Sequence, residues 1–409
     1  MKQCIGLFGL FVSLMTGWAN DTTVHEQIDI TTVRSTQGEV HPLDHTKAQL
    51  RVGYIQLNRD GATSDRQALA VGGHLHIGSK RWRGARICAE AYTVQDMTTF
   101  QEDQPRHPDF FDRSGNGFVT LSQAFLDMEW EHTEMKLGRQ MIDTPHLDSD
   151  DIRMMPNYFQ AWIITNKDFL PWKFSVGKVD KMAGWENGID ASRFIEIEKV
   201  AGSTQKRDGL YLLSAIYDGI DDITLQGWYY YLPDLYDIFY VEMAYKLILE
   251  DMTWTLGLQY DRANGIGHQL AGDIGSSTYG ISLQSSFNDR GITLLMAYNR
   301  DVGEYGAIGS FGGGPFFTSL EDQTIDTIQE RGDAWIVGGD YTFEAIKVGV
   351  TYGHFQADQK SHYHKSETDL IVEYAIGDQL GMTMVYATIH DENQNDGYQQ
   401  FRLVMNMNF

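Results

Sequence analysis

The chain has 409 residues, long for one soluble domain, with 56 acidic against 32 basic residues and a formal charge of −24. That balance argues against nucleic acid as a partner and against general attraction to anionic surfaces. Glycine (41) and tyrosine (21) are plentiful while proline (8) and cysteine (2) are scarce, which suits long strands joined by tight turns.

The chain opens as an export signal, with Lys2, an apolar run from Ile5 to Met15, and Gly17-Trp18-Ala19 as a small-residue cleavage site over residues 1–19. Cys4 lies ahead of the apolar run, so no lipidated N-terminus is expected; its removal leaves Cys88 alone and no intrachain disulfide. Residues 20–46 are polar and aperiodic, a periplasmic lead-in far too short to fold as a plug. From Lys47 the pattern becomes strict alternation: Leu50, Val52 and Tyr54 share one face, Arg51 and Gly53 the other.

Eighteen such segments follow, over 47–58, 67–78, 84–95, 118–131, 134–141, 158–167, 172–180, 208–217, 223–231, 236–248, 252–261, 278–287, 292–300, 333–343, 346–355, 366–376, 380–389 and 397–409. Most run about 9–11 residues, the length of a tilted strand crossing a bilayer, and no run of ~18 apolar residues remains to make a membrane helix. Their connections alternate between tight links and the long stretches 96–117, 142–157, 181–207, 262–277 and 301–332. Short turns on one rim and long loops on the other predict a transmembrane antiparallel β-barrel over 47–409. A soluble all-β protein with one solvated face is the plainer alternative; the signal, the loop asymmetry and the terminal strand weigh against it.

A Lys or Arg facing lipid near the midplane would cost roughly 2–4 kcal/mol, so the charged member of each alternation is assigned to the lumen. This points Arg51, Arg86, Glu90, Asp127, Glu129, Lys136, Lys173, Glu242, Lys246, Asp261, Asp340, Lys347, Asp369, Glu373 and Arg402 inward, into a water-filled pore rather than a packed core. Tyr229, Tyr230, Tyr231, Tyr236, Phe239 and Tyr240 read as an aromatic girdle at the outer interface, with a lumenal stacking surface as the sharper alternative. Phe401, Leu403, Met405, Met407 and Phe409 stand at steps of two, like the recognition tail of proteins assembled into the bacterial outer membrane.

No catalytic motif or phosphate cradle occurs, and the glycine-rich 309–315 stretch lacks a Lys. His362 and His364 are most simply a solvated pair rather than metal ligands. One stretch breaks the strand pattern. Between Gly138 and Gln160, Pro145 and Pro156 forbid ladder pairing, and Asp143, Asp148, Asp150 and Asp151 arrive with Arg139 and Arg153, which marks a functional loop.

Leu137-Gly-Arg-Gln140, Asp150-Asp-Ile-Arg-Met-Met-Pro-Asn-Tyr-Phe159, and Gly313-Gly-Pro-Phe-Phe-Thr-Ser319 followed by Glu321 resemble the OprD family of bacterial outer-membrane porins. The resemblance covers essentially the whole chain after the signal. It departs in Ile152 and Met154-Met155, where shorter polar or leucine-type residues are common, and in the acid-heavy loop. It implies an eighteen-stranded barrel whose third loop folds inward opposite a row of basic residues that guides small, often carboxylate-bearing solutes. Carried over by position, Asp143, Asp148, Asp150, Asp151 and Arg153 would form the pore constriction. Arg51, Arg86, Lys136, Arg139 and Arg402 would form the lumenal basic wall. Arg139 is out of phase with Lys136 and reaches the lumen only where the strand bulges or ends near Gly138. The plainer role for these arginines is to hold the acidic loop in place by charge-assisted hydrogen bonds.

The expected function is therefore passive diffusion of small water-soluble solutes and ions, amino acids or carboxylates among them, across the bacterial outer membrane, without cofactor or metal. The expected partners are outer-membrane lipid, the assembly machinery that reads the strand ending at Phe409, and either no other subunit or two more in a homotrimer. The alternative is a barrel enzyme or adhesin acting through its long loops 181–207 and 301–332.

Overall fold

The computed structural model describes residues 43–59, 65–97 and 105–409; the export signal and nearly all of the lead-in lie outside the described residues. The strands are β1 (Leu43–Arg59), β2 (Arg66–Ser79), β3 (Ala85–Asp96), β4 (Phe118–Trp130), β5 (Thr133–Gln140), β6 (Tyr158–Asn166), β7 (Trp172–Ala183), the two-residue β8 (Ile195–Glu196), β9 (Leu210–Ile220), β10 (Ile223–Leu232), β11 (Tyr236–Leu249), β12 (Met252–Gly265), β13 (Gly275–Phe287), β14 (Ile292–Asp301), β15 (Gly332–Phe343), β16 (Ile346–Ala357), β17 (His364–Ile376), β18 (Leu380–Asp391) and β19 (Asp396–Asn408). β8 lies within a loop and pairs only with the end of β7. The other eighteen pair antiparallel with their sequence neighbours, and β19 closes onto β1 from Gln49↔Asn408 to Arg59↔Tyr398. No edge is left open, which is what a strand-built wall needs in lipid. No helix among the described residues is long and apolar enough to cross a membrane.

The alternation decides the faces as expected. In β19, Phe401, Leu403, Met405 and Met407 look outward, while Gln400, Arg402 and Val404 are buried on the lumenal side. In β12, Leu258 is exposed while Gln259 and Asp261 are buried. Leu403→Arg is expected to lower the folded fraction of the barrel sharply, because it places a charge in lipid at roughly 2–4 kcal/mol. Arg402→Gln, on the opposite face, is expected to leave assembly intact. Comparing the compact, unheated species of both variants by gel electrophoresis checks this, and equal damage would refute the face assignment.

Two expectations are corrected. The lumen is not simply water-filled: its outer half is packed by loops 2, 3, 4 and 7 (described residues 105–117, then 141–157, 184–209 and 302–331). Phe110, Phe111, Met154 and Met155 pack with Ile55, Ala68, Ala70 and Tyr92 of the wall. Phe316, Phe317, Leu320, Ile325 and Ile328 pack with Leu295, Ile336, Phe355 and Val385. Each large side chain taken from water contributes about 1.5–3 kcal/mol, so inward wall positions that are apolar draw loops onto themselves. Small wall residues make the room: a Cβ on Gly53 would stand 3.0 Å from Phe110, and one on Gly257 would stand 2.9 Å from Phe317.

The second correction concerns the aromatic group. Tyr229, Tyr231 and Phe239 are exposed on the outer face, but Tyr230, Tyr236 and Tyr240 are buried inside, packed with Leu147 and Phe311 of the inward loops. Parity separates them, since Tyr230 and Tyr240 share the faces of Gln226 and Glu242.

Candidate functional site

Loop 3 leaves β5 at Gln140 and is tied to the wall on opposite sides of the barrel. On one side His146 reaches β12, with His146 Nε2 2.7 Å from Asp261 Oδ2 and both side chains wholly buried. The His146 backbone N–H donates to Tyr230 Oη of β10 at 3.3 Å, and its carbonyl accepts from the Phe311 N–H of loop 7 at 2.9 Å. On the other side Arg51 of β1 holds Asp151 in a two-pronged ion pair, Nη2 to Oδ2 at 2.7 Å and Nη1 to Oδ1, while Nη1 also donates to the Arg153 carbonyl at 2.9 Å. Paired geometry of this kind is the strong form of the charge-assisted hydrogen bond.

Loop 7 is clipped to the same stretch of wall. Glu321 takes both Nη atoms of Arg402 on β19, with Nη2 to Oε2 at 2.8 Å, and also accepts from Arg153 Nη1 at 3.2 Å. Arg153 Nε continues to Asp109 of loop 2 at 3.2 Å, and its guanidinium lies 4.3 Å from the Trp185 ring of loop 4. Four loops thus meet at one arginine. Two wall carboxylates of β17 complete the clip by accepting backbone N–H groups: Glu321 donates to Asp369 at 3.0 Å, Asp322 and Gln323 to Glu367 at 2.9 and 2.6 Å.

The acids of loop 3 do not act alike. Asp143 is exposed, and Asp151 keeps 25 % of its side-chain surface beside an Arg51 that keeps 1 %. Asp148 packs under Gly313, and burial, reinforced by Asp143 and Asp150, pushes its carboxyl up to about 8. Asp150 is buried and pushed up to about 6 by that burial, with Arg153 pulling the other way. Glu186 of loop 4, which accepts from Asn157 and the Gly313 N–H, is raised well above the ordinary range by burial and by Asp150. At neutral pH loop 3 therefore carries less charge than its sequence advertises; Asp143 is exposed, Asp148 and Asp151 are partly exposed, and Asp150 is buried.

The basic wall divides as well. Arg51 and Arg402 come together on the neighbouring strands β1 and β19, each engaged by a loop acid. Arg86 and Lys136 stand at the turn ends of β3 and β5, where Arg86 and Arg81 share Asp127 at 2.6 and 2.9 Å. Arg139 is not lumenal. β5 keeps an unbroken register with β4 from Thr133 to Arg139 and with β6 from Thr133 to Gln140, so no bulge brings Arg139 into phase with Lys136. It stays on the face of Leu137, donates to the Leu121 carbonyl at 2.8 Å and lies 4.2 Å from the Phe194 ring. Asp109, His146, Asp261, Glu321, Glu367 and Asp369 hold the loops in place, and sequence reasoning did not assign them to the site. Asp261 and Asp369 were legible as inward charges and Glu321 as the end of a motif, but His146 carried no signal.

A closed barrel narrowed by inward loops defines an outer-membrane diffusion porin. The chain belongs to the OprD family: the model described as outer membrane porin, OprD family, matches residues 123–409. No curated protein matches the sequence. Among solved structures it is similar to OpdK of Pseudomonas aeruginosa, at 18 % identity and TM-score 0.74 over 89 % of this chain and 99 % of that one. OpdK is also known with vanillate, at 19 % identity and TM-score 0.73 over 89 % and 98 %. A BenF-like porin from Pseudomonas fluorescens Pf-5 matches at 16 % identity and TM-score 0.76 over 90 % and 100 %. These likenesses establish the fold. With the family they make this chain a passive channel of the bacterial outer membrane and not an enzyme. Loop 7, a candidate seat of activity on the alternative reading, is largely taken up in lumenal packing.

Proposed function

We propose that the narrowest part of the pore lies where loop 3 meets the β1 and β19 wall, and that it favours small solutes carrying a positive charge, or both signs, over anions. The observation that supports this is the pairing of Arg51 with Asp151 and of Arg402 with Glu321, while Asp143 and Asp151 remain open to water. OpdK is known with vanillate; in this chain an aromatic carboxylate would meet both guanidiniums with their Nη atoms already paired to the protein's own carboxylates. Paired charges across a narrow lumen make a transverse field that orients dipolar solutes, and the surplus acid repels anions. Residues 1–19 direct export, β19 with Phe409 is handed to the assembly machinery, outer-membrane lipid covers the apolar face, and the barrel works singly or as a trimer.

Swelling of liposomes containing the purified protein tests the solute class. Basic and zwitterionic amino acids are expected to enter faster than carboxylates of matched size. Faster entry of the carboxylates would overturn the proposal while leaving the porin assignment untouched.

A further inference from the structure

Outside the lumen, at the outer ends of β16 and β17, two histidines meet. His354 Nε2 lies 2.9 Å from His364 Nε2, the rings cross at 78° and their centroids are 4.9 Å apart. His354 alternates with the inward Gly353 and the buried Phe355, so it faces outward with Trp335 and Tyr352; its ring stacks on Trp335 at 5.8 Å and 20°. His364 is the first residue of β17, directly after the outer loop 358–363. The pair thus sits, half-buried, at the extracellular side of an aromatic group, and no step of permeation uses it.

A shared N–H···N bond accounts for the contact in the simplest way, yet the arrangement is also that of a chelate. Metal to imidazole bonds of about 2.0–2.1 Å at a tetrahedral angle put two nitrogens about 3.3 Å apart, so the pair needs to open by only a few tenths of an ångström. His354 Nδ1 has no partner, so the shared Nε2···Nε2 bond alone sets the tautomer of this ring, and moving its proton to Nδ1 leaves both Nε2 lone pairs for a metal. The neighbourhood is rich in further donors: His354, Ser366 and His390 are in register across β16, β17 and β18, and Glu392 stands 3.7 Å from His390. Among the described residues no group of three such side chains is arranged as a closed site, so water would complete the shell.

We propose that His354 and His364 form an outer-rim site for a divalent first-row transition ion of the zinc, copper or nickel class, for which imidazole is a suitable ligand. Binding joins β16 to β17 and stabilises the folded barrel by mass action. Titration of the detergent-solubilised protein with Zn2+ alone, followed by calorimetry, is expected to show one equivalent bound. Affinity falls by about tenfold or more in H354Q and in H364Q and is unchanged in H268Q, whose imidazole lies in a different loop. A check needing no variant is carbethoxylation of the wild type, in which one equivalent of Zn2+ shields two imidazoles. Absence of Zn2+ binding, or binding that survives both variants, overturns the proposal. Conductance should not respond to Zn2+ at this stoichiometry, so a failure here is distinct from a failure of the pore reading.

Discussion

Asp151→Asn is expected to move the reversal potential of the channel toward anion preference, by more than any other single substitution in loop 3. Wild-type Arg51 spends its guanidinium on both Asp151 oxygens and the Arg153 carbonyl. Neutralising Asp151 removes one lumenal negative charge and leaves one uncompensated positive charge at the same place. Two unit charges 4 Å apart interact by about 1 kcal/mol in bulk water and about 4 kcal/mol at an effective dielectric near 20. Even the lower figure changes the local partition of a monovalent ion about fivefold. Because Asp151 keeps access to water, the freed arginine can turn toward the lumen instead of remaining a buried orphan. Arg51→Gln should shift the potential the opposite way. Asp65→Asn, which touches an acid that caps the Arg59 N–H on the rim at 3.1 Å, should leave it alone. The shift should shrink in concentrated salt, since the screening length falls from about 10 Å at 0.1 M to about 3 Å at 1 M. Reversal potentials under a KCl gradient decide the matter; identical values for wild type and Asp151→Asn, or an equal response to Asp65→Asn, would defeat it.

The wall of this porin was legible because alternation and charge cost act together along every strand. Each of the eighteen expected segments coincides with a barrel strand, and the main differences lie at the ends. β1 begins at Leu43 rather than Lys47, and β12 and β13 run on to Gly265 and back from Gly275, since pairing continues past the apolar band. What covers a face is another question, and periodicity cannot answer it. Ile55, Ala68, Ile336 and Phe355 belong to the inward set by parity, yet nothing in their spacing says that loops 2 and 7 lie on them. Neighbouring loop residues are harder still: Asp150 and Asp151 look alike in sequence, but one is buried beside Glu186 and the other pairs with Arg51 at the water's edge. Arg139, assigned to the basic wall by resemblance, instead lies on the outer face that its phase gives.

His146→Ala should have the other large effect, and on a different property. The His146 ring is wholly buried between Asp261, the edges of Tyr230 and Tyr240, and Phe316 of loop 7. It therefore pins loop 3 to the far wall and, through its carbonyl and Phe311, pins loop 7 to loop 3. Removing one partner of a buried hydrogen bond costs about 1–3 kcal/mol, more when the group left behind is charged, because that group stays unsatisfied. Eighteen paired strands do not depend on this contact, so the loss should fall on the docking of the loops rather than on the barrel. His146→Ala is thus expected to raise open-channel noise and mean conductance and to expose loop 3 to proteolysis, while the compact unheated species survives. Asp261→Asn, which keeps a hydrogen-bonding partner for the His146 ring, should be much milder. Planar-bilayer recordings beside limited proteolysis test both variants. A quiet, protease-resistant His146→Ala channel would mean that loop 3 is held by the Arg51–Asp151 end alone, and complete loss of the folded barrel would mean that the inward loops are part of the wall's own stability.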